Sequence, residues 1–389
     1  MFNIDSLAVL PFDMFHPLCQ KIDKTILKFI RMAYEKQKIE EPPKTLFIQP
    51  DTNICYLNLV SPHHEATPEA YYSTYVKGYS NVSFSTYPVL NGEKFGKPIA
   101  DCTTANIYKD CAVFCIADGC GMGKRPATSA HVACEKFTEY VSVEIPKTKT
   151  LAKAQKIIVE AIAYVQTAIL QTQELSTDAG LTTFLGIVVL RTGTSFACMY
   201  CNIGDCRALV IDPRTAVVNE LIDDYSGRVD VKTTGGRLGP VEGDYPELDN
   251  FKCGIKFCSA GSVIALMTDG VCDNFDIKTY YQTPKECGLS GLEWSDDNEE
   301  HWEKRKEVFY SSFLSLFFND SLEELCFNLY NFIIQKTKRA RECKVKKIET
   351  FVGGKMDHST FACFRLDDTL FTEKIVMKKK MKIPDDLKV

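Results

Sequence analysis

Apolar positions along the chain follow two periods. Between residues 13 and 40, Phe15, Leu18, Ile22, Ile26, Ile30 and Ala33 recur at helical spacing, and Pro42-Pro43 ends the run. Residues 45–97 hold short β-type runs such as TLFI and NICYLNLV, broken by Pro, His, Asn and Gly. After the apolar run FCIADGCGMG, helices are predicted from about Pro126 to Tyr140 and from about Leu151 to Leu175. TTFLGIVVL, TSFACMYCNIGD and CRALVID then read as strands, with hairpin turns at Thr192-Gly193 and at Gly204-Asp205. SVIALMTD is a further buried strand, and a mostly helical stretch runs from Phe275 to Gly353. STFACFRL closes the core ahead of a basic tail. This order predicts an α+β fold with antiparallel hairpins and helices packed outside them.

Composition narrows the class of protein without naming it. The 389 residues are 45% hydrophobic and 25% charged, ordinary values for a globular chain. A net charge of −5 argues against a general nucleic-acid binder, which needs a basic face. The start, MFNIDSLAVLPFDMF, lacks a basic n-region and reads as a poor signal peptide. No apolar stretch reaches the ~20 residues needed to cross a bilayer, so no membrane partner is expected. The seventeen cysteines mostly sit inside apolar runs and read as free thiols in a reducing cytoplasm, with a nuclear location as the alternative. Cys198 and Cys201 have CxxC spacing, but a strand would point them to opposite faces, which argues against zinc.

Four aspartates carry the candidate chemistry. Asp118 and Asp269 each end an apolar run and precede glycine, which describes a buried strand delivering a carboxylate to a sheet edge. Glycine permits a sharp turn and leaves its carbonyl open to a cation. Asp101 in GKPIADCT and Asp357 in KMDHSTFACF complete the set. Each alone reads as a turn residue or strand end. Taken together they form an all-oxygen donor set that suits Mg²⁺ or Mn²⁺ better than zinc.

The ordered series IADGCGMG, DAGLTTF, NIGDCRALV, LMTDGVCDNF and MDHSTFACF resembles the metal-dependent protein phosphatases of the type 2C family, from about Tyr87 to Leu366. The resemblance implies an α+β fold of two antiparallel β-sheets in a sandwich flanked by helix pairs. It implies a serine/threonine phosphatase, with phosphoprotein substrates hydrolysed by metal-activated hydroxide. Asp118 then matches the carboxylate bridging two metals and the Gly119 carbonyl a backbone ligand. Asp269 and Asp357 complete the first metal, Asp101 serves the second, and Asp178 matches the ligand of a weaker third. The implied organisation is an extension over 1–75, a phosphatase-like domain over 76–366 with a helical insertion at about 276–353, and a basic tail over 367–389. Oligomeric state stays open.

Four departures keep a second reading alive. Gly96 stands where family members usually carry a phosphate-gripping arginine, leaving Lys94 or Lys97 as substitutes. Cys120 replaces a histidine common in eukaryotic members, and Asp357-His358 replaces the usual Asp-Asn pair. Ala100, where glutamate is frequent, weakens the second metal site. His358 is expected to be exposed or capping, His131 to be a helix-surface or packing residue, and Lys124 and Arg125 to be solvated. The basic run over 336–347 is expected to be the solvated end of a helix. The alternative function is a weak or inactive pseudophosphatase acting as a regulatory binding module.

Overall fold

The computed structural model describes residues 22–37, 47, 49–61, 71–91, 93–222, 234–280, 283–295, 298–317, 321–347, 353–372 and 377–381. Its first half runs α1 (Lys24–Lys36), β1 (Asp51–Ser61), β2 (Tyr71–Val76), β3 (Tyr79–Ser85), β4 (Val89–Leu90) and β5 (Glu93–Lys94). Then come β6 (Cys102–Lys109), β7 (Cys111–Ala117), α2 (Lys124–Glu144), α3 (Leu151–Leu170), β8 (Phe184–Thr192) and β9 (Ser195–Ile203). The second half runs β10 (Arg207–Asp212), β11 (Val217–Glu220), β12 (Arg237–Glu242), β13 (Tyr245–Glu247), β14 (Lys252–Ser259) and β15 (Val263–Met267). It ends with α4 (Asp269–Cys272), α5 (Glu299–Leu314), α6 (Leu322–Val345), β16 (His358–Arg365) and β17 (Met377–Met381).

Two antiparallel sheets dominate the described residues, in the orders β1-β6-β7-β8-β9-β14 and β11-β10-β15-β16-β3-β2-β17. Strand alternation builds three apolar layers. In β7, Cys111, Val113, Cys115 and Ala117 face α2 and α3, while Ala112, Phe114 and Ile116 face the opposite sheet. In β16, Phe361 and Cys363 face α5 and α6, while Ala362 and Phe364 turn inward. Phe114 and Phe364 stack across the middle with ring centroids 3.7 Å apart. The fold is therefore the expected α+β sandwich of two antiparallel sheets, covered on each outer face by a helix pair.

Local signals start the helices where the sequence suggests. The Asp23 carboxylate caps the Thr25 and Ile26 amides, and Ser321 accepts from Glu324 N in an S-x-x-E arrangement. Helix α1 buries Ile26 and Ile30 in the layer of α2 and α3, whereas Phe15 and Leu18 lie outside the described residues. Strand β1 pairs with β6 and β17 with β2, so segments from both ends of the chain extend the sheets. Helix α3 stops at Leu170, short of the expected Leu175, where apolar spacing gives way to Gln-Thr-Gln-Glu.

One turn differs in kind. Gly204-Asp205 is not a hairpin: β9 lies in the first sheet and β10 in the second, so the chain crosses the sandwich there. Gly204 has φ 102°, and a Cβ would meet the Thr183 side chain at 2.6 Å. Asn250 clamps this crossover, accepting from Gly204 N at 2.8 Å and donating to Gly204 O at 2.9 Å. Arg207 follows, paired with Glu220 and lying over the Phe309 ring at 3.9 Å, which ties β10 to α5. Gly204 and Arg207 thus hold the crossover in place.

All sixteen described cysteines are free, and twelve of them are buried. Cys198 faces the inter-sheet layer and Cys201 the helix layer, as alternation requires. No described helix is long and apolar enough to cross a membrane.

Candidate metal centre

Four chain segments meet at one end of the sandwich. Asp101 precedes β6, Asp118 follows β7, Asp269 opens α4 just beyond β15, and Asp357 precedes β16. Backbone bonds hold these segments together. Gly119 N donates to Ala100 O at 3.3 Å, which locks the Asp118 turn against the residue before Asp101. The Asp118 carbonyl accepts from Thr183 N at 2.8 Å and from Thr182 Oγ1 at 2.9 Å. The AGLTT run thus fixes the backbone that presents Asp118. Thr268, the cap of α4, donates to Asp101 Oδ2 at 2.9 Å.

Asp357 is anchored by its neighbours. Its N–H donates to Thr86 Oγ1 at 2.6 Å, Tyr87 Oη donates to its Oδ1 at 3.2 Å, and His358 N donates to the same oxygen at 2.9 Å. Burial pushes the Asp357 carboxyl up to about 6; the Asp269 charge adds to this and Lys355 opposes it. Burial also drives Asp118 well above the usual carboxylate range, reinforced by Asp269, Asp101 and Asp357. Asp101 is raised by burial and by Asp357, against the Thr268 hydroxyl. Each aspartate feels the others, so the four behave as one cluster.

The donor set suits a hard divalent cation. Four carboxylates supply oxygen alone, and Asp101 is fully buried with its Oδ1 lacking a hydrogen-bond partner. As the side chains stand, no group of three acidic, His or Cys side chains among the described residues is arranged to hold an ion. A cation already sits on part of the cluster. Lys355 Nζ lies closest to Asp269 Oδ2, and 3.0 Å from both Asp273 Oδ2 and Asp357 Oδ2.

Neither Lys355 nor Asp273 stood out in the sequence. The available signal was spacing: Lys355 is two residues before Asp357, so an extended backbone sends both side chains to one side. Asp178 is half-exposed in a short turn, with Arg125 Nη1 3.5 Å from its Oδ1. Solvent screening makes that pair weak.

The candidate phosphate lysines differ in setting. Lys94 is half-buried in β5, and burial together with the Arg341 charge pulls its pKa down to about 8. Lys97 is exposed. Arg341, within the basic run of α6, is buried and bonded to Thr337 and to Ile334 O, so that helix end is not wholly solvated as expected.

His358 is also not the exposed or capping residue expected. As the first residue of an internal strand it is 3% exposed, and burial lowers its pKa to about 4. Its Nδ1 accepts from Ala100 N at 3.2 Å, binding the Asp357 strand to the Asp101 segment. His131 is a packing residue, buried beside Cys102. Burial and the Asp205 charge push the Cys120 thiol up to about 12, which keeps it protonated at neutral pH.

Known proteins resemble parts of this chain. The PP2C-like domain-containing protein CG9801 of Drosophila melanogaster is 28% identical over 210 residues, half of this chain. The match spans only 29% of that relative's length. Among solved structures, the Mycobacterium tuberculosis serine/threonine phosphatase PstP/Ppp is 12% identical with a TM-score of 0.45, covering 75% of this chain and 100% of that one. A phosphatase from a pathogenic strain of Toxoplasma gondii is 10% identical with a TM-score of 0.45, covering 80% and 99%. The Protein phosphatase 2C profile matches residues 93–287, which include Asp101, Asp118 and Asp269 and make up half of the chain. By that match the chain belongs to the protein phosphatase 2C family.

Proposed function

We propose that this chain is a Mg²⁺- or Mn²⁺-dependent serine/threonine phosphatase acting on phosphoproteins. The observation that carries the reading is the convergence of Asp101, Asp118, Asp269 and Asp357 from four separate segments, in a chain of this family. Asp118, Asp269, Asp357 and the Gly119 carbonyl would hold one ion. Asp101 and Asp118 serve a second, weaker site, because Ala100 brings no carboxylate. Asp178 belongs to an outer, weaker third.

Bound divalent cations supply Lewis acidity toward phosphoryl oxygens and lower the pKa of water. The chain's own groups do the positioning. Thr268 and the Ala100 carbonyl orient the Asp101 and Asp118 segments, and Tyr87 holds the Asp357 carboxylate. Lys94 provides positive charge for the substrate phosphate, standing beside His358.

Turnover of a phosphothreonine peptide with and without Mn²⁺ tests this reading. Mn²⁺-dependent turnover that disappears in Asp118→Asn, with an unchanged circular dichroism spectrum, is the expected result. Absence of turnover at any Mn²⁺ concentration would favour the second reading, a regulatory binding module. One observation supports that alternative: Lys355 already neutralises Asp269 and Asp357.

A further inference from the structure

Lys355 is held where it is by more than its own charge. Its carbonyl accepts from Asn274 Nδ2 at 3.0 Å, and the same amide group donates to Gly270 O at 2.8 Å. Asn274 therefore ties the backbone of Lys355 to the start of α4, where Asp269 sits. Just before it, Gly354 N donates to Lys336 O at 3.0 Å, fixing the segment against α6. From this anchored base the ammonium reaches three carboxylates: Asp269, Asp273 and Asp357. The side chain is 22% exposed. It is thus a built feature of the cluster that also reaches solvent.

Asp269 Oδ2 and Asp357 Oδ2, which hold the ammonium, belong to two of the first metal's proposed ligands. An ammonium on these two oxygens opposes a cation about 2.0–2.6 Å from them, because the two positive charges repel across a short distance in a partly buried site. Lysine is a point charge on a flexible four-carbon stem, so rotating it outward frees both oxygens without moving the backbone.

We propose that Lys355 is a tethered counter-ion that competes with the first metal, so that metal uptake requires its side chain to leave Asp269 and Asp357. This rests on the four-aspartate reading of the site. In the ammonium-filled state the cluster is partly neutralised and the fold is stable without metal. In the metal-filled state Lys355 lies outside the carboxylate cage. Apparent metal affinity is the intrinsic affinity reduced by the fraction of molecules in which the lysine is out.

Calorimetric titration of the full chain with Mn²⁺, paired with melting temperatures in EDTA and in saturating Mn²⁺, tests the proposal. Lys355→Met should tighten the first Mn²⁺ event by about tenfold or more, the factor expected if the lysine is seated in nine molecules of ten. Lys355→Arg, which keeps the cation, should bind Mn²⁺ no more tightly than the unaltered chain. Lys355→Met should melt lower than the unaltered chain in EDTA, where the carboxylates lose their counter-charge, and should recover that loss or exceed it in Mn²⁺. Equal Mn²⁺ affinity of Lys355→Met and the unaltered chain overturns the proposal, as does an equal melting deficit in both conditions. Should Lys355→Met fail to fold even in Mn²⁺, Lys355→Gln gives the same comparison with a polar side chain. Asp118→Asn separates the two levels: retained Mn²⁺ binding in that variant overturns the four-aspartate reading itself, whereas lost binding there with no gain in Lys355→Met overturns only the role of Lys355.

Discussion

A Cβ added to Gly270 would stand 1.8 Å from the carbonyl oxygen of His358, so the first turn of α4 lies directly on the start of β16. This contact sets the spacing between Asp269 and Asp357, each one residue away along its own segment. The conflict is with backbone on both sides, and no rotamer change relieves it. Gly270→Ala should therefore cost about 1–3 kcal/mol or more in urea denaturation, the range for forced backbone movement in a packed core. An unchanged denaturation midpoint would show that the two segments have slack between them.

Helix α5 is tied to the segment that follows α4 by an ion pair. Arg305 of α5 donates from Nε to Asp276 Oδ1 at 3.1 Å, and its side chain is 6% exposed. Burial alone would raise the Asp276 carboxyl, but Arg305 outweighs it and holds the group below its ordinary 3.8. A folded pKa below the unfolded one contributes stability above about pH 4 that is lost as pH falls through the folded value. Arg305→Met should then cost about 3–5 kcal/mol at pH 7, the usual loss when one partner of a buried pair is removed. The same substitution should cost less at pH 3 and below. Urea curves at the two pH values check this; an equal cost at both would mean that Arg305 acts through packing on Trp302 instead of through charge.

Much of this architecture was legible in the chain. The unbroken apolar runs Cys111–Ala117 and Val263–Met267 marked buried strands, each followed within two residues by an aspartate. The crossover at Gly204 was not legible, because glycine followed by aspartate serves a hairpin and a sheet-to-sheet crossing equally well. Which of the two forms depends on partners distant in sequence: β14 for one strand and β15 for the next. His358 misled for a similar reason. A histidine after aspartate resembles a cap until its strand is seen between β15 and β3. Lys355 had no local signature beyond its spacing from Asp357, since its meeting with Asp269 and Asp273 exists only after α4 docks on β16. Local periodicity is written in neighbouring residues, whereas meetings between sheets are written in surfaces that the chain assembles later.

Burial separates two lysines that the sequence left equivalent. Lys94 is drawn inward, near Arg341 and His358, while Lys97 projects from the exposed side of the loop. Two neighbouring cations, one of them partly desolvated, raise each other's energy until an anion neutralises them. A phosphate monoester supplies that charge, so Lys94→Ala should weaken substrate binding by about 1–2 kcal/mol, the scale of one charge-assisted contact. In steady-state assays on a phosphothreonine peptide this appears as a KM higher by roughly five- to thirtyfold, with kcat less affected. Lys97→Ala should change KM by less than about twofold, because an exposed charge is screened by solvent and salt. Equal effects at the two positions, or a larger one at Lys97, would remove Lys94 from the substrate site. Lys94→Arg is the complementary measurement: a planar guanidinium offers phosphate two parallel N–H bonds, and a lower KM in that variant would show that the chain works with a single point charge where a fork would bind better.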